Sequence, residues 1–158
     1  MLFAFFPVCN LVLFSSAYLG IRNLTEQAVQ SIAMSDSRKQ AAETEKSVLA
    51  NYENPLLTLF HRVQITPADT LQIAVDKGGS QLDTYNIADA LPTNTRPDYG
   101  ANKEKLLYFY KLQVSCKVNP ILNLSALPFI GLIPIIGGPS EITIGAQAPV
   151  ENLDALNR

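Results

Sequence analysis

Residues 2–21 read LFAFFPVCNLVLFSSAYLGI, and no side chain in this stretch is charged. A helix rises about 1.5 Å per residue, so a run of this length just crosses the roughly 30 Å hydrocarbon core of a bilayer. Pro7, Asn10, Ser15 and Ser16 lower its hydrophobicity. Proline is nevertheless tolerated in membrane helices, and asparagine can bond to a neighbouring helix. Length therefore favours a membrane anchor. Two other readings stay open. Ser15 and Ala17 stand at the small-residue spacing of a signal cleavage site, although no Lys or Arg precedes the run. A helix buried in a soluble core would need apolar cover on every side, and the rest of the chain supplies little helical material for that.

Downstream, RNLTEQAVQSIAMSDSRKQAAETEKSVLANY (22–52) contains no Gly and no Pro and is rich in Ala, Glu, Gln and Lys, all good helix formers. Leu24, Ala28 and Ile32, with Val29 and Ala33, recur at three- and four-residue spacing and form one apolar stripe. Arg38, Lys39, Glu43 and Glu45 fall on the polar remainder. Asn54-Pro55 stops the pattern, because the residue before proline is pushed out of the helical region. The expectation is one unbroken helix of about 50 residues, roughly 75 Å long. Residues 1–21 are its transmembrane part and 22–53 its amphipathic part.

From Pro55 the period changes. LTLFHRVQI (57–65) fits a short helix or a strand, and TPAD reads as a turn. TLQIAVDKGG (70–79) alternates, with Leu71, Ile73 and Val75 on one face, and ends at a Gly pair. Residues 80–104 are polar and hold Pro92, Pro97 and Gly100, the texture of a long loop. In KLLYFYKLQVSCKVNP (105–120), Tyr108, Tyr110, Leu112, Val114, Cys116 and Val118 share one face of the clearest strand. EITIGAQAPVE (141–151) is another, with Ile142, Ile144, Ala146 and Ala148 in register. The fold expected is α+β: a long N-terminal helix packed on a small antiparallel sheet, with residues 54–158 as a β-rich domain.

Between these last strands, ILNLSALPFIGLIPIIGGP (121–139) is apolar but cut by Pro128, Gly131, Pro134 and Gly137-Gly138. Its unbroken pieces are too short to span a bilayer. It reads either as a core-lining loop or as an exposed contact surface for a partner or the membrane, through Phe129, Ile130, Leu132 and Ile135.

The chain of 158 residues has a net charge of −2 and no basic block, which argues against nucleic-acid binding. With 47% hydrophobic residues its composition is globular. Cys9 and Cys116 read as two buried thiols rather than a disulfide. His61 is the one histidine, in LFHRVQ, and reads as structural beside Arg62. GGPSE and DKGGSQ lack the Lys and spacing of a phosphate loop, and no Cys/His pairs have zinc spacing. Asp83 and Asp89 in DTYNIAD miss the calcium-loop pattern. The glycosylation sequons at Asn23 and Asn123 are of a kind that arises often by chance. No catalytic residue, metal site or cofactor is expected, and the chain does not read as an enzyme.

An uncharged Pro-containing span leads into an Ala/Gln-rich helix (LTEQAVQSIAMSDSRKQAAE). A Tyr-rich strand follows, then an apolar Pro/Gly segment and a closing strand (LYFYKLQVSCKVNP, LPFIGLIPIIGG, EITIGAQAPVE). This layout resembles the TadE/TadG-like proteins of bacterial tight-adherence (Flp) pilus systems. The resemblance implies a minor pilin or pseudopilin: a single-pass inner-membrane protein with its C-terminal domain extracytoplasmic, structural in role, working in cell adhesion or secretion. Its implied partners are membrane lipid and other pilus or secretion-apparatus subunits, as a homo- or hetero-oligomer, with neighbours packing along Leu24, Ala28 and Ile32. The family's basic leader and its acid near the apolar start have no match here, where the first acid is Glu26, so no processing residue is assigned. Arg22, Arg38 and Lys39 lie on the C-terminal side of the span, which by the positive-inside tendency favours the opposite orientation. The alternative function is a membrane-anchored or secreted envelope-binding module, with 80–104 and 121–139 as its site.

Overall fold

The computed structural model describes residues 2–50, 63–66, 71–78, 82–98, 100, 106–120, 123–125, 133 and 138–157. The fold is α+β, a long N-terminal helix packed on a small antiparallel sheet. Helix α1 spans Leu2–Ala33 and helix α2 spans Arg38–Ala50. The strands are β1 (Val63–Thr66), β2 (Gln72–Asp76), β3 (Leu82–Asn86), β4 (Leu107–Val118) and β5 (Ser140–Pro149). Short 3-10 helices cover Thr93–Thr95 and Leu153–Asn157.

The single unbroken helix expected from the sequence is corrected to two. Propensity runs evenly through residues 22–50, but Ser35-Asp36-Ser37 competes for the backbone. The last turn of α1 tightens, with Ser35 N–H donating to the Ile32 carbonyl at 3.0 Å. Ser37 then caps α2: its Oγ accepts from the Gln40 N–H at 3.2 Å. In return, the Gln40 Oε1 accepts from the Asp36 N–H at 2.9 Å. This is close to the reciprocal capping box. The chain's far end secures the break, since Glu151 N–H donates to the Ala33 carbonyl at 3.3 Å and Asn152 Nδ2 to Asp36 Oδ1 at 3.3 Å. The stop expected at Asn54-Pro55 lies outside the described residues.

The sheet runs β1-β4-β2-β3, with β5 also on β4. Strand β4 pairs antiparallel with β1 (Val63 opposite Val118) and with β2 (Gln72 opposite Lys111), and β2 pairs antiparallel with β3 (Gln72 opposite Asn86). The alternation read from the sequence holds along β4, where Tyr108, Tyr110, Leu112, Val114, Cys116 and Val118 are buried, and along β5, where Ile142, Ile144 and Ala148 are buried and Ala146 is half-buried. Each fully buried aliphatic side chain contributes about 1.5–3 kcal/mol. In β2, Ala74 is buried along with Ile73 and Val75. Within the sheet it pairs with Phe109 of β4 on one side and Thr84 of β3 on the other.

Residues 80–104 are not simply a loop, because β3 lies within them. Its LDTYN sequence hides the strand, since no position of β3 is fully buried and its partner contributes the apolar face. The turn from β2 is set by Gly78 at φ +79°, a conformation suited to glycine, with its N–H bonded to Asp76 Oδ1 at 2.8 Å. Further along, Leu91, Thr95 and Pro97 are buried. Tyr108 Oη donates to the Thr95 carbonyl at 2.9 Å, and Arg38 Nη1 donates to the Asp89 carbonyl. The described sheet thus has five strands where the sequence patterns marked three.

The described residues divide into two compact units. The first is drawn from Met1–Asn23, Tyr52–Ala68 and Val114–Ile144, the second from Leu24–Asn51, Asp69–Gln113 and Gly145–Arg158.

Candidate membrane and assembly surface

Along α1 the buried positions are Asn10, Ala17, Ile21, Leu24, Thr25, Ala28, Val29, Ile32 and Ala33. Steps of three, four and seven residues keep these near one side of a 3.6-residue helix. Leu24, Ala28 and Ile32, expected to meet neighbouring subunits, are instead 6%, 0% and 0% exposed. The amphipathic stripe is spent on the chain's own core. That is the ordinary fate of such a stripe when a sheet with an apolar face is at hand.

The exposed apolar surface of α1 lies in its first half. Phe5, Val8, Leu11, Val12, Tyr18 and Leu19 are each 40–62% exposed. At 100° per residue they fall within about 140° of the helix circumference, on the side away from Asn10, Ala17 and Ile21. Ser15 is exposed in the same arc. Phe5, Val8, Val12 and Leu19 follow heptad-like spacing and lie within about 60° of one another on this arc. After Ile21 the outward positions turn polar: Arg22, Asn23, Glu26, Gln27, Gln30 and Ser31 are exposed. Residues 2–21 are uncharged on every face, so charge does not set this arc apart in the sequence. The signal that marks it is the small or polar character of Asn10 and Ala17 on the opposite side.

Helix Phe5–Ala33 is long and apolar enough to cross a membrane, and 22% of its most apolar 18-residue window is buried.

Phe129, Ile130, Leu132 and Ile135, the other expected contact residues, lie outside the described residues. Near them Leu124 is buried, and Ile133 is 45% exposed. His61 also lies outside the described residues. Asp83 forms an ion pair with Lys77 across the β2–β3 turn, which holds the Lys77 ammonium above its usual range through their hydrogen bond. No group of three His, Cys, Asp or Glu placed to hold a metal occurs among the described residues.

Cys9 and Cys116 are free thiols, the first half-buried on α1, the second buried on β4. Burial pushes the Cys116 thiol up to about 11, which keeps it protonated and unreactive near neutral pH. Burial likewise raises the Tyr108 and Tyr110 phenols. Tyr110 Oη and Arg38 Nε are buried without a hydrogen-bond partner, and the Arg38 charge tempers the rise at Tyr110. The feature with an evident use is the apolar arc on α1. Neither protein-family models, nor curated proteins, nor solved structures gave a match to this chain.

Proposed function

We propose that this protein is a membrane-anchored structural subunit, a minor pilin or pseudopilin-like component of a bacterial tight-adherence pilus or secretion apparatus. In this reading α1 holds it to the inner membrane, the β-rich part stands outside the cytoplasm, and its work is assembly rather than catalysis. The observation that carries the anchoring is the exposed, uncharged first half of α1, where Phe5, Val8, Val12 and Leu19 are all more than half exposed. The pilus context comes from the resemblance in layout to TadE/TadG-like proteins. Other subunits would dock away from Leu24, Ala28 and Ile32, which are already covered.

The test is membrane fractionation with a carbonate wash, then protease treatment of intact spheroplasts carrying a C-terminal tag. Retention in the washed membrane with digestion of the tag is expected. A retained but protected tag would put the sheet in the cytoplasm and end the pilus reading. Release of a soluble, shortened protein would make residues 2–21 a cleaved signal and favour the secreted binding module.

A further inference from the structure

We infer that the first half of α1 sits one-sidedly in the bilayer, lying along its surface rather than crossing it. Phe5, Val8, Val12 and Leu19 enter the hydrocarbon, while Asn10, Ala17 and Ile21 stay buried in the first compact unit. The inference rests on the membrane-anchor reading and replaces its full crossing with a surface seat.

Two sets of residues in the same unit force the choice. On the helix, Asn10 is 2% exposed and Ala17 and Ile21 are fully buried, so one side of the run is already occupied by protein. On the strands, the unit also contains the ends of β4 and β5, where Lys117, Glu141 and Thr143 are exposed and Thr143 Oγ1 is hydrogen-bonded to Ser115 Oγ at 2.9 Å. A crossing helix that kept its buried side would carry the compact unit it belongs to, exposed polar strand residues included, toward hydrocarbon, where an ammonium or carboxylate is costly. A crossing helix that let go would expose Asn10 to lipid. It would also give up the burial of Ala17 and Ile21.

A helix lying in the interface avoids both penalties. Its outer arc meets acyl chains, and its inner side keeps its protein contacts. This is the seating of monotopic amphipathic helices, with protein in place of the usual charged face. The charge pattern names the occupant: positions 2–21 offer no ion, and the exposed arc offers the Ser15 and Tyr18 hydroxyls among large apolar side chains, which suits lipid chains. The first charge, Arg22, arrives where the outward face turns polar.

Single-cysteine depth measurements on the full chain test this. In a Cys9→Ser background, Cys116 is 1% exposed and stays unlabelled under native conditions. Val8→Cys, Val12→Cys and Leu19→Cys place an environment-sensitive fluorophore on the arc, and Leu13→Cys places one on the half-buried flank. The protein is bound to phosphatidylcholine/phosphatidylglycerol vesicles containing lipids brominated at shallow or deep acyl positions. Val8 and Leu19 are eleven positions apart, or roughly 16 Å along the axis. The surface seat gives the three arc probes one common depth and leaves the Leu13 probe shielded from lipid quenchers. A depth difference approaching the full axial separation, with Leu13 quenched as strongly as Val12, overturns the inference but keeps the anchor. Absence of vesicle binding overturns both. Mutual quenching between arc labels without lipid quenching assigns the arc to a second copy of the chain and also overturns the inference.

Discussion

The two compact units use one buried helical stripe in opposite ways. In the second, α1 from Leu24 onward turns its apolar side inward and a polar side outward, and hydrogen bonds tie the surroundings together: Tyr108 to Thr95, Arg38 to Asp89, Glu151 to Ala33, Asn152 to Asp36. In the first, Asn10, Ala17 and Ile21 are buried inward, but the outward side is Phe5, Val8, Val12 and Leu19. Inward pattern alone therefore does not say what a helix is for. The second unit is finished by its own contacts and water. The first leaves an apolar arc exposed.

The sharpest way to break this comparison is to place one charge on each helix half. Ile32→Asp puts a carboxylate at a fully buried position, and a loss of at least about 3 kcal/mol of folding stability is expected in denaturant titration. Val12→Asp, at a position 60% exposed, is expected to change folding by no more than about 0.5 kcal/mol while abolishing membrane retention. If Ile32→Asp folded normally and lost only assembly, Ile32 would face a partner after all.

Alkaline titration reads the first unit through Cys116. Its folded pKa is raised to about 11, above its ordinary value of 9.0. Between these values the unfolded chain has lost the proton that the folded chain keeps. Stability is therefore full below about pH 9 and falls as pH rises toward 11. Cys116→Ala should flatten this fall between pH 9 and 10. The raised phenols of Tyr108 and Tyr110 act in the same direction from pH 10 upward, so a residual slope there is expected.

Smaller effects belong to the ties of the second unit. Ser37→Ala removes the cap of α2 and should cost about 1 kcal/mol, with a loss of helical circular dichroism confined to that helix's share. Tyr108→Phe removes the bond to Thr95 and should cost about 1 kcal/mol. Tyr110→Phe deletes a buried hydroxyl without a partner and should leave stability unchanged or raised by about 1 kcal/mol. Equal losses from both tyrosine variants would show that Tyr110 Oη makes a bond in solution.

Particular elements mark where sequence patterns sufficed. Residues 107–118 alternate for twelve positions, and a period of two held that long has one reading. Strand β3 left no such trace, because LDTYN is an edge strand with no fully buried position. The break at residues 34–37 was visible only as a Ser-Asp-Ser cluster. What turns it into two helices is capping by Ser37 and Gln40, together with the Glu151 and Asn152 bonds from the far end of the chain.

By itself, the sequence determined the α+β class, the uncharged helix at the start, the apolar stripe along α1 and the inward faces of β4 and β5. These follow from local periodicity and side-chain polarity, which the chain carries in every context. Only the tertiary structure decided which apolar side chains are used up at home. Burial depends on what lies opposite, and for Leu24, Ala28 and Ile32 the core lies there, whereas for Phe5, Val8, Val12 and Leu19 the described residues supply no cover.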